Sequence, residues 1–310
     1  MSQKHRLITR SDLDGIVCAA ILREAGMVDE VVFAHPKDMQ DGTIEVTSND
    51  IITNLPHHPN AHMVFDHHAS EIERNKTPAK NVVNDPTAPS AAQVVFKHFG
   101  GSAKLPNISK ALMDAANKID SAQLTEAEIL DPQGWVLLGF IMDNRTGLGR
   151  LHDFKISNYN LMLELVELFR TPKTVEEILK SPNVAERVKT YREHADFARQ
   201  QIKKCATVKD KLLVIDLRKE AMIYCINRFA IYALYPSTNI SMHILPGKKN
   251  TNTVFAVGKS VLNRSAKVDV GSLMLKYGGG GHKAVGTCQI AHDNVDTVKS
   301  ELIEHIVKAG

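Results

Sequence analysis

Apolar positions recur along this chain with two periods, and the alternation between them sets the first expectation of its fold. Arg6–Thr9 is a short run with an apolar centre and predicts a strand. From Gly15 to Ala25, the residues Ile16, Val17, Ala20, Ile21 and Ala25 fall at helical spacing. The turn SDLDG separates the two, so the order is strand, loop, helix. Val31–Ala34 and Ala61–Phe65 predict further strands, and Pro89–Phe99, Ile108–Ile119 and Trp135–Met142 predict helices. Pro89 suits the first turn of its helix. Strands alternating with helices predict an α/β domain with a largely parallel sheet.

Residues 157–206 carry helical patterns and almost no strand signal. The last of these helices is long and charged. After Asp210 the period shortens: LLVIDL, FAIYALYP, TNISMHIL and TNTVFAVGK are β-prone runs separated by turn residues. The expected fold is therefore α/β throughout. An N-terminal parallel-sheet domain spans 1–190, a helical linker 191–210, and a smaller α/β domain with a mainly antiparallel sheet 211–310. An active-site cleft is expected between the domains.

Composition changes this picture little. The chain has 310 residues, 43% hydrophobic, with 38 basic and 35 acidic side chains, so it is neither disordered nor strongly basic. The four cysteines form no CxxC pair, and no apolar N-terminal segment or membrane-length run is present. The expectation is a cytoplasmic protein with reduced thiols and no membrane partner. Histidine is the unusual component. Of 14, five (His57, His58, His62, His67 and His68) fall within twelve positions.

Candidate chemistry lies where strands end. Asp12 and Asp14 in DLDG sit between a predicted strand and helix, where parallel sheets place their ligands. Two carboxylates that close repel unless a cation joins them; capping of the turn is the competing reading. Asp66-His67-His68 follows the apolar run Met63–Phe65, and mixed nitrogen and oxygen donors suit Mn²⁺, Fe²⁺ or Zn²⁺. Asp50 and Asp120 are lone carboxylates, for which spacing alone favours a cap. Gly278–Gly281, followed by His282 and Lys283, reads as a loop whose backbone amides wrap an anion. A flexible surface loop is its alternative. Arg264 is a candidate phosphate clamp, because its planar fork matches phosphate oxygens. Arg145, in the stretch Met142–Arg150, lines the expected cleft or merely ends a helix.

Taken together, these motifs resemble the DHH phosphoesterase superfamily, in the branch that carries a DHH-associated C-terminal domain. That group includes RecJ-type exonucleases, nano-RNases, cyclic-dinucleotide phosphodiesterases and exopolyphosphatase-related proteins. Asp12 and Asp14 match its first motif, Asp50 the second, Asp66-His67-His68 the third, Asp120 the fourth, and Gly278–His282 the GGGH motif of the associated domain. The resemblance implies two Mn²⁺ ions, with Mg²⁺ or Co²⁺ as substitutes. Asp12 and Asp50 would hold one; Asp14, Asp50, His67 and Asp120 the other, with Asp50 bridging. His68 would lie nearer the substrate phosphate. Arg264, Gly279, Gly280, Gly281 and His282 would bind the phosphate or terminal nucleotide.

One position departs from the pattern. A histidine usually precedes the first aspartate, and this chain has Ile8, Thr9, Arg10 and Ser11 there. One metal site is thus a ligand short, and Arg10 is the candidate to supply positive charge or to bind substrate. The expected activity is hydrolysis of phosphodiesters in short oligonucleotides or dinucleotides, linear or cyclic. Pyrophosphate or short polyphosphate is the alternative substrate class, and a non-catalytic nucleotide-binding regulator the alternative to an enzyme. The small net charge of +3 argues against long duplex nucleic acid. A homodimer is the default assembly.

Overall fold

The computed structural model describes residues 4–68 and 80–310. It divides into two compact units, Met1–Gln123 with Pro132–Thr190, and Leu124–Asp131 with Tyr191–Gly310.

The first unit is built on five strands: β1 (His5–Thr9), β2 (Val28–Phe33), β3 (Asp50–Thr53), β4 (Met63–Asp66) and β5 (Val82–Asn84). Their order is β2-β1-β3-β4-β5, and every pairing is parallel. The chain leaves β1 toward β2 on one side and leaves β3 toward β4 on the other, so the direction reverses between β1 and β3. In sheets of this order, ligands collect beyond the carboxyl ends of the strands at that switch point. The helix Leu13–Glu24 follows β1 directly, and Leu13 through Leu22 are all buried. That explains its even hydrophobicity: a helix apolar on every side is a core helix. It packs with the helices Ala91–His98, Lys110–Asp120 and Asn158–Leu168 in the main core.

Two of these strands escape the sequence patterns. β3 and β5 have only four and three residues, and β3 lies at the centre of the sheet.

The second unit holds a six-stranded sheet of β6 (Ala206–Lys209), β7 (Leu212–Asp216), β8 (Ile240–Pro246), β9 (Thr253–Lys259), β10 (Gly280–His282) and β11 (Val285–Ile290). The order is β10-β11-β9-β8-β7-β6, antiparallel except for the parallel pair β7–β8. FAIYALYP is not a strand; it forms the helix Ala230–Leu234, with Ala230, Ile231, Tyr232 and Ala233 buried. The helix Pro182–Cys205 runs directly into β6. The segment Leu124–Asp131 groups with this unit, held where Asn227 Nδ2 donates to Ile129 O at 2.9 Å and Arg199 Nη2 to Leu130 O at 2.7 Å. No helix among the described residues is long and apolar enough to cross a membrane.

One ion cluster ties the last helix to this sheet. Asp216, at the end of β7, accepts from Arg218 Nη2 at 2.7 Å and Lys299 Nζ at 2.9 Å. Burial opposes the Asp216 charge, but Arg218 and Lys299 outweigh it and hold the carboxyl well below its ordinary value. A depressed folded-state pKa stabilises above the unfolded value of ~4, and that contribution fades as pH falls through the folded value. Asp216→Asn is expected to cost about 1–2 kcal/mol at pH 7, with the difference from wild type shrinking progressively below pH ~4. Paired urea titrations at pH 7 and pH 3 check this.

Candidate active site

The register of the first sheet decides which residues share its carboxyl edge. Thr9 pairs with Thr53, Thr53 with Phe65, and Asp66 with Asn84. One step beyond the Thr9–Thr53–Phe65 row stand Arg10, Asn54 and Asp66. Asp14, on the first turn of the helix after β1, is buried and faces the N-terminus of the helix Ala91–His98. Its carboxylate accepts from Ala91 N at 3.0 Å and Ala92 N at 2.7 Å, two amides with no partner inside their own helix.

Asp14, His67 and Asp120 bring one donor atom each within 4.8 Å of one another. Asp120 ends the helix Lys110–Asp120 and is 27% exposed; His67 Nε2 lies 3.1 Å from its Oδ2. Nδ1 of His67 donates to Ala88 O at 3.2 Å, which orients the ring and turns Nε2 toward the carboxylates. Nε2 is buried without an aligned hydrogen bond. Burial and the charge of Asp120 push Asp14 up to about 7. Burial works against a charged His67, yet Asp120, Asp14 and Asp66 push it up to about 9. A buried imidazole nitrogen in contact with one carboxylate and crowded by others fits a divalent cation of the Mn²⁺, Fe²⁺, Co²⁺ or Zn²⁺ kind. Asp66 Oδ1 and His68 Nδ1 are bonded at 2.7 Å, and with His67 they form a second, overlapping donor group.

Asp50 is not brought to this edge. It begins β3, pairs in register with Arg6, and lies four residues before Asn54, a rise of about 13 Å. There it is an anchor of the amino edge. Arg6 grips it at 2.6 and 2.9 Å, and Thr47 N donates at 2.6 Å. Burial opposes its charge, but Arg6 and Thr47 prevail and its pKa is lowered. The residue that sequence reasoning missed is Asn54, buried at the carboxyl end of β3 with φ +55°. Its signal is faint: it follows the short run Ile51–Thr53, where Asp66 follows the fully apolar Met63–Phe65. His5 and His62 also sit at the amino edge, where their rings stack 4.0 Å apart.

Asp12 caps the first helix by accepting from Gly15 N at 3.1 Å. Its Oδ1 also accepts from Asn54 Nδ2 at 3.3 Å, and its Oδ2 lies 3.1 Å from Arg10 Nε. Gly15 is required by backbone, since an added Cβ would lie 2.1 Å from Arg10 O. Arg145 pairs with Asp143 at 2.7 Å, and Asp12 and Asp120 also act on its charge. His35, just past β2, is a further residue at this edge that the sequence did not single out. Desolvation, then the charges of Arg10 and Arg145, lower its pKa.

Arg264, Gly279, Gly280, Gly281 and His282 lie in the second unit. The glycine run is less free than a wrapping loop. Gly280–His282 form strand β10, and an added Cβ would lie 2.1 Å from Thr287 O at Gly279 and 2.2 Å from Val285 O at Gly281. Gly280 is different: nothing lies within 4 Å of its would-be Cβ.

A parallel sheet in this order, with DLDG and DHH at its carboxyl edge and a mixed-sheet second unit, belongs to the DHH phosphoesterase superfamily. The chain is 50% identical to the pGpG-specific phosphodiesterase PggH from Vibrio cholerae, over 99% of this chain and 100% of that one, with a TM-score of 0.84. It shares its fold with CDC45 from Entamoeba histolytica, at 9% identity over 98% and 95% of the two chains and a TM-score of 0.54. No family model and no curated protein matches it.

Proposed function

We propose that this protein is a metal-dependent phosphodiesterase that hydrolyses pGpG, a linear dinucleotide, to two molecules of GMP. The observation that carries this reading is 50% identity along essentially the whole chain to a pGpG-specific phosphodiesterase. The donor set at the carboxyl edge supports it. Asp14, His67 and Asp120 would hold the cation, and a histidine among the ligands favours Mn²⁺ or Co²⁺ over Mg²⁺. When bound, such an ion polarises a phosphoryl oxygen and lowers the pKa of water.

The chain's own groups orient the reaction. Ala91 and Ala92 hold Asp14, and Ala88 holds His67, before substrate arrives. Asp66 holds His68 by Nδ1, so that the ring is set to meet the substrate phosphate. Arg10 and Arg145 supply positive charge on the Asp12 side, where the phosphate oxygens gather charge in the transition state. Water oxygen joins phosphorus as the P–O3′ bond breaks. Within the second unit, Arg264, Gly280 and His282 are the proposed phosphate-binding residues.

A turnover panel tests this: pGpG, other dinucleotides, cyclic dinucleotides, longer oligonucleotides, pyrophosphate and short polyphosphate, each with Mn²⁺. Hydrolysis of pGpG at least tenfold faster than any other member is expected. Preference for pyrophosphate or polyphosphate, or no dinucleotide hydrolysis, overturns the reading.

A further inference from the structure

We infer that this chain binds one divalent cation at its carboxyl edge, and that Arg10, ion-paired with an Asp12 that Asn54 also engages, stands as a cation where the resemblance calls for a second metal ion. The inference rests on the metal reading of Asp14, His67 and Asp120.

Two ions a few ångströms apart repel strongly and need a carboxylate shared between them. Asp50, expected in that role, is at the opposite edge of the sheet in the grip of Arg6. The residue at the carboxyl end of β3 is Asn54, which is neutral. Its Nδ2 donates to Asp12, and its Oδ1 is buried with no partner among the described residues. An amide oxygen can touch an ion, but it brings no negative charge to neutralise a second one.

Asp12, the other carboxylate expected at the second ion, is already engaged. Its Oδ1 accepts from Gly15 N and Asn54 Nδ2, and its Oδ2 faces Arg10 Nε. A cation placed there would have to displace the guanidinium or sit against it. Among the described residues Arg10 ion-pairs only with Asp12, through Nε, which leaves both terminal nitrogens for phosphate oxygens.

The second donor group, Asp66, His67 and His68, offers no independent site. Asp66 Oδ1 and His68 Nδ1 are bonded to each other, and His67 has committed Nδ1 to Ala88 O. Its remaining nitrogen belongs to the Asp14–Asp120 group.

Titration of the metal-free full-length protein with Mn²⁺ tests this, read by calorimetry and by electron paramagnetic resonance. One ion per chain with an uncoupled single-ion spectrum is expected. Two ions per chain, or a spin-coupled pair, overturns the inference and leaves the metal assignment standing. No bound ion overturns both. The double variant Arg10→His/Asn54→Asp restores a ligand and a bridging carboxylate, and is expected to raise the count from one to two. A folded double variant that stays at one ion overturns the role given to these residues.

Discussion

His67→Ala is expected to lower turnover of pGpG by ~10³-fold or more. His67 is the residue common to both donor groups, so its loss removes the nitrogen donor proposed to hold the cation. Asp14 and Asp120 would then face each other without the nitrogen between them. Mn²⁺ is expected to raise the melting temperature of the wild type and to leave that of His67→Ala nearly unchanged, because a ligand stabilises only the state that binds it. Single-turnover rates and melting curves, with and without Mn²⁺, check both statements. Activity within tenfold of wild type would remove His67 from the metal site.

Asp50→Ala is expected to act in the opposite way, on stability and not on metal. Removing one partner of a buried ion pair leaves the other charge uncompensated, at a cost of ~3–5 kcal/mol when both are buried. The Arg6 side chain is 28% exposed, so water takes up part of that cost and about 2–3 kcal/mol is expected. Mn²⁺ bound per folded chain should not change. Urea denaturation and metal counting on the same preparation check this. Unchanged stability with lost metal would return Asp50 to the site.

The contrast between these two residues shows where the sequence was legible. DLDG and DHH could be read directly because each is contiguous and follows a recognisable apolar strand. Asp120 came only with the resemblance, since a carboxylate closing a helix looks like any cap until the helix is placed in space. β3 was the hard case. Its four residues carry no period long enough to announce a strand, and without it the carboxylate of TSNDIITN drew attention before the asparagine did. In a parallel sheet, four residues separate one edge from the other. Register therefore decides which of two nearby polar residues can do chemistry, and register is a tertiary fact. The glycine run misled for a related reason. Its composition suggested an open loop, whereas two of its members are glycine because neighbouring backbone leaves no room for a side chain.

The two amides that hold Asp14 also determine how the site can adapt. A carboxylate tethered at both oxygens to the start of a helix cannot swing toward a smaller ion or retreat from a larger one. His67 is similarly pinned through its far nitrogen. Asp120, at the end of its helix and partly open to solvent, is the one member of the trio with room to move. At the proposed metal site, exchange among cations of different radius would thus fall to a single jaw closing on a fixed anvil. Cation selectivity would then depend on how freely the last turn of Lys110–Asp120 can flex.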